Sequence, residues 1–371
     1  MISMIVRRKI REMLAEDIGF ADITSEALVP EGMNAGAEII VNQQGVLAGV
    51  AEAAIAFDEV GVRTRIVKQD GQRIRPGAVV MRVDGSARGI LAAERTALNL
   101  LMRMSGVATA TLEMLERARK ANSDVVLAAT RKTMPLLSYF DKRAIRLGGG
   151  DPHRFRLDDC VLIKGDHIRL VGSIEKAVKK ARGASFSKKV EIEVNSSKDA
   201  LDAARTGADI VMFDNMRPAD VKRAIETITK AGLRRCVILE ASGGIDPSNV
   251  ASYAATGVDI ISSSYMTFRA PALDMSLEIK GGQGFKISSG KHKWVEVEKM
   301  ADDLTPSGKK VYDALKKLGA TSPDSVKTAD DAMRSAGLPK GMANNALMEL
   351  VAKGYAKRVA RQKAAGYYLT K

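Results

Sequence analysis

The sequence predicts an α/β protein whose central part is a parallel (β/α) barrel. Six short apolar runs between residues 126 and 261 are typical of strands buried on both faces of a parallel sheet. Segments with helical periodicity separate these runs at the spacing of crossover connections. Each run is followed by a charged or small polar residue, and in a barrel these ends converge on one face. We therefore expect one pocket that contains cations, carboxylates and a glycine turn.

The length of the chain predicts two or three domains. Its 371 residues exceed the usual domain size of about 100–200 residues. Residues 1–102 mix helical and alternating patterns and predict an α+β region, and residues 103–272 carry the repeated strand-helix units. Residues 284–303 contain glycine, serine and mixed charges and predict a linker. Residues 304–371 then predict a compact unit of their own.

The sequence pattern of residues 304–371 predicts a winged-helix-like domain with three helices and a basic hairpin. The first helix is expected from the Thr305-Pro306 cap to Leu318, the second over 328–335 and the third over about 342–353. Residues 281–371 hold 17 Lys and Arg against 9 Asp and Glu. The hairpin suits contact with DNA phosphates, and the alternative is contact with protein or support of a dimer. Its basic residues are Lys357, Arg358, Arg361 and Lys363.

Composition and charge indicate the kind of ligand, the compartment and the membrane role to expect. The chain has 58 Lys and Arg against 44 Asp and Glu, and its net charge of +14 favours anionic ligands or nucleic acid. The alternative is a solvated basic surface, which explains much of such an excess in many proteins. Cys160 and Cys236 lie within apolar strand patterns, and no signal-peptide pattern begins the chain, so we expect a reduced, cytoplasmic protein. No apolar run approaches the roughly 18 residues that span a bilayer, and we expect no membrane role.

Cationic side chains follow the predicted strands. Arg131 and Lys132 follow the run at 126–130, Lys164 follows the run at 160–163, and Arg154 follows a glycine bend. Arginine binds carboxylates through two parallel hydrogen bonds, whereas lysine acts on phosphates as a point charge. We expect these residues to bind an anionic substrate, with Arg95 as a further candidate. The alternative is a set of ion-paired surface residues.

Two carboxylates, Glu193 and Asp214, end successive predicted strands. They should lie side by side and face the same cavity. Two carboxylates, water and a substrate phosphate are a common set of Mg²⁺ ligands, so we expect Mg²⁺ here. The alternative is that each residue caps the helix that follows it. Glu191 shares the strand face of Glu193 and is expected to support the site without binding the metal directly.

Two small-residue turns are candidates for a phosphate site. The first contains Ser242, Gly243 and Gly244, and the second contains Ser263 and Ser264 after the next strand. Backbone amides in such turns bind phosphate, and the final strands of (β/α) barrels are a recurrent phosphate position.

Two histidines lie near the predicted strand ends. His153 follows the glycine bend at 148–150 and is a candidate hydrogen-bond donor to phosphate. His167 is expected to be a cap or a packed side chain.

The chain resembles the quinolinate phosphoribosyltransferase family, also called carboxylating nicotinate-nucleotide pyrophosphorylase. The resemblance covers about residues 8–280, including 17–30, 45–49 and 93–101 in the first region. Its most specific part is a series of seven segments in the family's order: Thr130-Arg-Lys-Thr-Met-Pro135, Gly148-Gly-Gly-Asp-Pro-His-Arg154, Leu162-Ile-Lys-Gly-Asp-His167, Glu191-Ile-Glu-Val194, Phe213-Asp-Asn215, Glu240-Ala-Ser-Gly-Gly244 and Ala272-Leu-Asp274.

This resemblance implies a fold, an assembly and a reaction. The fold is an N-terminal α/β sandwich, to which residues 273–283 return, followed by an incomplete (β/α) barrel. The assembly is a homodimer, or a larger assembly of dimers, in which each N-terminal domain covers the partner's barrel mouth. The reaction converts quinolinate and phosphoribosyl pyrophosphate to nicotinate mononucleotide, pyrophosphate and CO₂, and it requires Mg²⁺.

The resemblance also implies a role for each site residue. The quinolinate carboxylates would contact Arg131, Arg154, Lys164 and Arg95 of the partner subunit. The phosphates would contact Lys132 and His153, and the 5′-phosphate would lie on the turns at 242–244 and 262–264. The catalytic set is Lys132, Glu193 and Asp214, and the last two would also engage the ribose and Mg²⁺.

Several residues near these motifs depart from the family pattern. Leu136 and Ser138 stand where Gly and Arg are usual, and Gly165 replaces an aspartate. Ser264 replaces a common glycine, so its Cβ is expected to crowd the phosphate, and Phe268 replaces a common histidine. Altered substrate preference or reduced activity is therefore an open alternative.

Two other functions remain open. One is a related phosphoribosyltransferase that uses nicotinate or another acidic base, although Arg131, Arg154 and Lys164 favour a dicarboxylate. The other is a DNA-binding regulator in which the barrel senses a pyridine metabolite and residues 304–371 bind DNA.

Overall fold

The computed structural model describes residues 4–282, 304–320, 325–353, 355–359 and 366–369. The chain divides into two compact units. The first unit is Ile2–Trp294, and the second consists of Val295–Lys371 together with Met1. Within the described residues, no helix is both long and apolar enough to cross a membrane.

The first unit alternates helices and strands from α1 to β12. Its helices are α1 (Met4–Ile18), α2 (Ile23–Leu28), α3 (Val50–Glu59), α4 (Ala87–Arg119), α5 (Ser138–Leu147), α6 (Gly165–Val171), α7 (Ile174–Arg182), α8 (Ser197–Thr206), α9 (Pro218–Lys230), α10 (Val250–Ala254) and α11 (Tyr265–Phe268). Its strands are β1 (Asn34–Val41), β2 (Gly45–Val46), β3 (Arg63–Ile66), β4 (Arg73–Ile74), β5 (Val79–Ser86), β6 (Val126–Ala128), β7 (Val161–Ile163), β8 (Val190–Val194), β9 (Ile210–Asp214), β10 (Ile238–Ser242), β11 (Ile260–Ser262) and β12 (Met275–Gly282).

An antiparallel sheet with the strand order β12-β1-β5-β3 begins the unit. β12 pairs with β1 so that Met275 lies opposite Val41. The chain therefore returns to its first sheet after it has completed the parallel one. The long helix α4 follows this sheet, and the Ser86 hydroxyl caps its start by accepting the Gly89 amide.

The six predicted parallel strands form one sheet in the order β6-β11-β10-β9-β8-β7, which confirms the prediction of a parallel sheet. One face of this sheet is apolar, and its residues Ile192, Val211, Leu239 and Ile261 are fully buried. Because side chains alternate along a strand, the register places another set of residues on the opposite face. That face, called the pocket face below, carries Leu162, Glu191, Glu193, Met212, Asp214, Glu240 and Ser242.

The glycine bend at 148–150 brings the chain from α5 against α4. A Cβ on Gly148 would lie 2.4 Å from the Ala108 carbonyl oxygen, so only glycine fits this approach. The next residue, Asp151, makes a parallel bridge to Ala128 at the edge of β6. Residues 151–154 are thereby placed beside the strand that leads into the Arg131-Lys132 segment.

The second unit combines helices with a small antiparallel sheet. It contains α12 (Pro306–Lys317), β13 (Lys327–Thr328), α13 (Ala329–Ala336), α14 (Lys340–Ala352), β14 (Ala356–Val359) and β15 (Gly366–Leu369). The sheet order is β13-β15-β14, and the helices bury a core that includes Val311, Leu315, Leu347 and Leu350. The three helices occupy the predicted places. Lys357 and Arg358 are exposed on β14, whereas Arg361 and Lys363 lie outside the described residues.

Candidate active site

The centre of the site is a buried group of one histidine and two glutamates on the pocket face. The His153 Nε2 atom lies 3.4 Å from an oxygen of Glu191 on β8 and 3.4 Å from an oxygen of Glu240 on β10. Both glutamate side chains are fully buried. The Cys160 thiol donates to Glu191 over 3.9 Å, but the Glu191 Oε1 atom has no hydrogen-bond partner among the described residues. Both Glu240 side-chain oxygens likewise lack a hydrogen-bond partner among the described residues. The two carboxylates are therefore compensated mainly by the charge of His153, with the charge of Arg154 also acting on Glu191.

Burial and mutual repulsion change the protonation of this group. Burial, followed by the charge of Glu240, raises the pKa of Glu191 to about 7. Burial alone would lower the pKa of His153, but its interaction with Glu240 and the charge of Glu191 raise it above the ordinary value. The site thus favours an imidazolium beside two glutamates, one of which holds its proton near neutral pH.

Glu193 and Asp214 extend from adjacent strands at the carboxyl end of the pocket face. The Lys164 ammonium donates a hydrogen bond to Glu193 over 2.7 Å, and the Asn215 side-chain amide donates one to Asp214 over 3.0 Å. Both carboxylates are half-buried. Neither is a helix cap, because Ser196 caps α8 and Arg217 precedes α9 at its N-cap position. The capping alternative is therefore excluded, and both carboxylates are left for a ligand.

The turn after β10 requires glycine. Gly243 has φ +97, and a Cβ there would lie 2.4 Å from the Asn215 side-chain oxygen. Gly244 also has a positive φ of +63, and the Asn249 side chain donates to its carbonyl oxygen. The Ser242 carbonyl oxygen accepts a hydrogen bond from the Asn215 backbone amide. The turn is thus fixed against the end of β9, beside Asp214.

The two predicted phosphate turns are joined to each other. The Ser263 hydroxyl donates to the Ile245 carbonyl over 2.6 Å and accepts the Tyr265 amide. Ser263 therefore supports the turns through its side chain, and only its backbone remains for a phosphate. Ser264 has φ −91, a conformation that any residue adopts, so the backbone does not require the glycine that is usual in the family.

The four predicted cations near the strand ends differ in burial. Arg154 is 8% exposed, whereas Arg131, Lys132 and Lys164 are exposed to solvent. The Thr267 hydroxyl on α11 donates to the Lys132 carbonyl over 2.6 Å, which links the second phosphate turn to the Arg131-Lys132 segment. The structure therefore brings an exposed group of cations and one buried arginine to the region above the pocket face.

Arg95 and His167 do not join this group within the described chain. The Arg95 side chain on α4 is 60% exposed, and it lies 3.9 Å from the neighbouring carboxylate of Glu94. The His167 Nδ1 atom accepts the Lys164 backbone amide over 2.9 Å, which is a helix-capping role. The expectation that His167 is a cap is confirmed.

The departures from the family pattern have different structural consequences. Leu136 has φ +65, in the left-handed region where a non-glycine residue costs about 1–2 kcal/mol. This explains why glycine is usual at the position. Gly165 begins α6, and a Cβ there would meet nothing within 4 Å. Ser138 is the first residue of α5.

Sequence reasoning missed the role of Glu240. Glu240 was named there only within the segment 240–244 that resembles the family, whereas the structure places it beside His153. A usable signal was present, because Glu240 precedes Ser242 by two residues and must share its strand face. The same spacing relates Glu191 to Glu193. Thr267 gave no comparable signal, since its contact with Lys132 joins segments 135 residues apart.

Comparison with known families accounts for most of the first unit. Residues 22–105 match the model of the quinolinate phosphoribosyl transferase N-terminal domain, and residues 107–278 match the model of its C-terminal domain. The chain is 50% identical over 273 residues to a probable carboxylating nicotinate-nucleotide pyrophosphorylase of Methanothermobacter thermautotrophicus, covering 73% of this chain and 98% of the relative. It is 37% identical over 254 residues to the human enzyme of that name, covering 68% of this chain and 85% of the relative.

Solved structures agree with these relatives. The nicotinate-nucleotide pyrophosphorylase of Francisella tularensis matches with a TM-score of 0.69 and 36% identity, covering 74% of this chain and 96% of the other. NadC from Streptococcus pyogenes matches with a TM-score of 0.69 and 34% identity, covering 75% and 96%. Residues beyond 278 lie outside both family models.

The raised pKa values predict that stability falls with rising pH. Folded Glu191 keeps a proton that the unfolded chain releases near pH 4.5, so the free energy of unfolding should decrease as pH rises to about 7. His153 acts in the same direction, because its bound proton is lost as pH rises through its raised folded pKa. Urea unfolding between about pH 5 and pH 8 should show a decrease on the order of 1–3 kcal/mol.

Glu191→Gln should flatten this dependence, because it removes one ionising group and weakens the shift of His153. Glu175→Gln, on the exposed face of α7, is the matched control and should keep the slope of the unaltered chain. A slope that stays the same in Glu191→Gln would contradict the assignment of the buried charges.

Proposed function

This chain belongs to the quinolinate phosphoribosyl transferase family, and we infer that it is a phosphoribosyltransferase of NAD biosynthesis. It converts quinolinate and phosphoribosyl pyrophosphate to nicotinate mononucleotide, pyrophosphate and CO₂. The observation that carries this conclusion is the combination of family-wide sequence identity with a cation-rich region above the His153, Glu191 and Glu240 group. Such a region suits a dicarboxylate and a polyphosphate together.

We also propose that the first unit has the barrel, the N-terminal sandwich and the homodimer that the family resemblance implies. The parallel strand order, with β6 and β7 at the two edges, is that of a (β/α) barrel opened between its first two strands. The antiparallel sheet of β12, β1, β5 and β3 then serves as the N-terminal sandwich. A homodimer would supply Arg95 of the partner subunit to each pocket, which is consistent with the exposure of Arg95 in the single chain.

Substrate binding follows from the charges at the strand ends. Arg131, Arg154 and Lys164 bind the two carboxylates of quinolinate, since arginine pairs with carboxylate through two parallel hydrogen bonds. Lys132 and His153 bind phosphate oxygens. The turns at 242–244 and 263–264 bind the 5′-phosphate through backbone amides.

The donor set of Glu193 and Asp214 fits Mg²⁺. Both are carboxylates on adjacent strands, and each has one oxygen engaged by a neighbour, Lys164 or Asn215, which leaves the second oxygen for a cation. When bound, Mg²⁺ neutralises charge on the pyrophosphate group and makes it a better leaving group.

The first chemical step is substitution at C1 of the ribose. The pyridine nitrogen forms a bond to C1 while the bond from C1 to the pyrophosphate oxygen breaks. Positive charge develops on the ribose, and the carboxylates of Glu193 and Asp214 stabilise it. The Lys132 ammonium stabilises the negative charge on the departing pyrophosphate.

The second step is loss of CO₂ from ring carbon 2. The bond to the carboxylate breaks, and its electron pair stays on carbon 2 beside the positively charged ring nitrogen. Carbon 2 then takes up a proton. The nitrogen stabilises the electron pair directly, so this step needs no dedicated catalytic base.

The proposed function predicts that the protein forms product from quinolinate and not from nicotinate. With phosphoribosyl pyrophosphate and Mg²⁺, the full chain should release nicotinate mononucleotide and CO₂ from quinolinate but not use nicotinate. Arg131→Ala should lower kcat/KM about 10- to 100-fold, because a charge-assisted hydrogen bond contributes about 1.5–3 kcal/mol. Arg169→Ala, an exposed arginine on α6, is the control and should leave kcat/KM unchanged.

Two outcomes would overturn the prediction. Activity with nicotinate alone would indicate a related transferase for a monocarboxylate. Absence of activity with either acid would favour a regulator that senses a pyridine metabolite.

For residues 304–371 we propose contact with DNA through a winged-helix-like domain. Three helices and a three-stranded sheet, with exposed Lys357 and Arg358 on β14, support the proposal. Phosphate contacts of this kind release counterions, so affinity falls steeply with salt.

The DNA proposal predicts a charge-dependent interaction of the full chain. Duplex DNA should be retained at about 50 mM salt and lost by about 200 mM. The double variant Lys357→Ala with Arg358→Ala should weaken binding, whereas Lys176→Ala with Lys179→Ala on α7 should not. Full transferase activity in both variants would separate the two functions. If the unaltered chain does not retain DNA at low salt, protein contact replaces DNA contact as the role of this unit.

A further inference from the structure

A fully buried lysine lies behind the candidate site and has no role in the mechanism above. Lys142 on α5 is 1% exposed. Its ammonium donates to the backbone carbonyl oxygens of Pro152 and Arg154, the second over 3.0 Å. These two carbonyls belong to the residues on either side of His153. One buried side chain therefore holds both ends of the short turn that presents His153 and Arg154.

This turn has an unusual backbone that needs support. His153 has φ +52, in the left-handed region that is unfavourable for a non-glycine residue. The Asp151 carboxylate accepts the His153 amide over 2.6 Å from the other side of the turn. The Asp151 backbone is fixed in turn by hydrogen bonds with Leu127 and Ala129 at the edge of β6.

The part of α5 that carries Lys142 is held firmly in place. The preceding residue, Asp141, is fully buried and accepts two hydrogen bonds from Arg103 on α4, over 2.9 and 2.8 Å. Phe140 is fully buried in the core. Lys142 is therefore anchored to the longest helix of the unit, and the turn inherits that position.

A charged group in this place is costly. Burial lowers the pKa of Lys142 to about 8, with partial compensation from the charge of Asp151. An apolar side chain of the same length would fill the space without this cost. What the ammonium adds is a pair of hydrogen bonds to the turn and a contact 5.8 Å from the centre of the Phe155 ring.

We propose that Lys142 is a positioning residue for substrate recognition. Its ammonium fixes the turn at 151–154 so that the His153 imidazole meets Glu191 and Glu240 while the Arg154 guanidinium is held for an acidic substrate. The inference deepens the proposed function and rests on it, because the substrate assigned to Arg154 is a pyridine dicarboxylate. Lys142 acts through its neighbours and does not itself touch the substrate.

The test compares Lys142→Met with Lys179→Met in the full chain. Methionine retains the volume of the lysine stem but removes the hydrogen-bond donors, and Lys179 is an exposed lysine on α7. Calorimetric titration with quinolinate and steady-state kinetics give the affinity, KM and kcat. The nitrogen and carbon NMR signals of the His153 imidazole report the geometry of the turn without any substrate.

Lys142→Met should weaken quinolinate binding and raise KM about tenfold or more, with a smaller effect on kcat, because the hydrogen bonds of Arg154 are misdirected. The His153 signal should move, and Lys179→Met should change neither property. A folded Lys142→Met protein with affinity within about twofold of the unaltered chain and an unmoved His153 signal would overturn the proposal.

A second variant keeps the test decisive if Lys142→Met does not fold. Asp151→Ala releases the same turn from its exposed side and should shift the His153 signal and weaken quinolinate binding in the same direction. Unchanged values would overturn the proposal. If the unaltered chain fails to bind quinolinate while the His153 signal still moves in Lys142→Met, the proposed substrate is wrong but the positioning role stands.

Discussion

Charge compensation between His153 and two buried glutamates is the constraint on which the rest of the site depends. Glu191 and Glu240 lie on the pocket face with no exposure to water, and unpaired carboxylates in that position would be strongly destabilising. His153 must therefore sit between them, in a left-handed backbone conformation that Lys142 and Asp151 support. The next residue, Arg154, is a buried arginine that we propose binds the acidic substrate.

The parallel sheet extends this local constraint to the groups at the carboxyl ends of its strands. One face is apolar and packs against helices, so the other receives every polar side chain in alternate positions. Along β8, Glu191 lies deep and Glu193 lies near the carboxyl end, and along β10 Glu240 and Ser242 repeat the pattern. Buried charged groups thus lie deep on this face, and more accessible groups lie near its carboxyl end, where we propose that substrate and metal bind.

The sequence was sufficient for the strands and for the groups at their ends. Apolar runs and two-residue spacing are local properties, so they predicted the positions of Lys164, Glu193 and Asp214. The partner of His153 could not be read in the same way, because Glu240 is 87 residues away and only the strand order brings the two together. Lys142 looked like an ordinary helix residue, since its burial depends on the fold of the turn that it holds.

The most direct measurement is an NMR pH titration of the histidine imidazoles in the full chain. The sequence has only three histidines, so the spectrum of a His153→Gln variant identifies the His153 signal by subtraction. We expect His153 to titrate above its ordinary pKa of 6.5, because Glu240 and Glu191 stabilise its imidazolium form. A His153 pKa below 6.5 would contradict this expectation, because the buried glutamates would then lack the cation that compensates them.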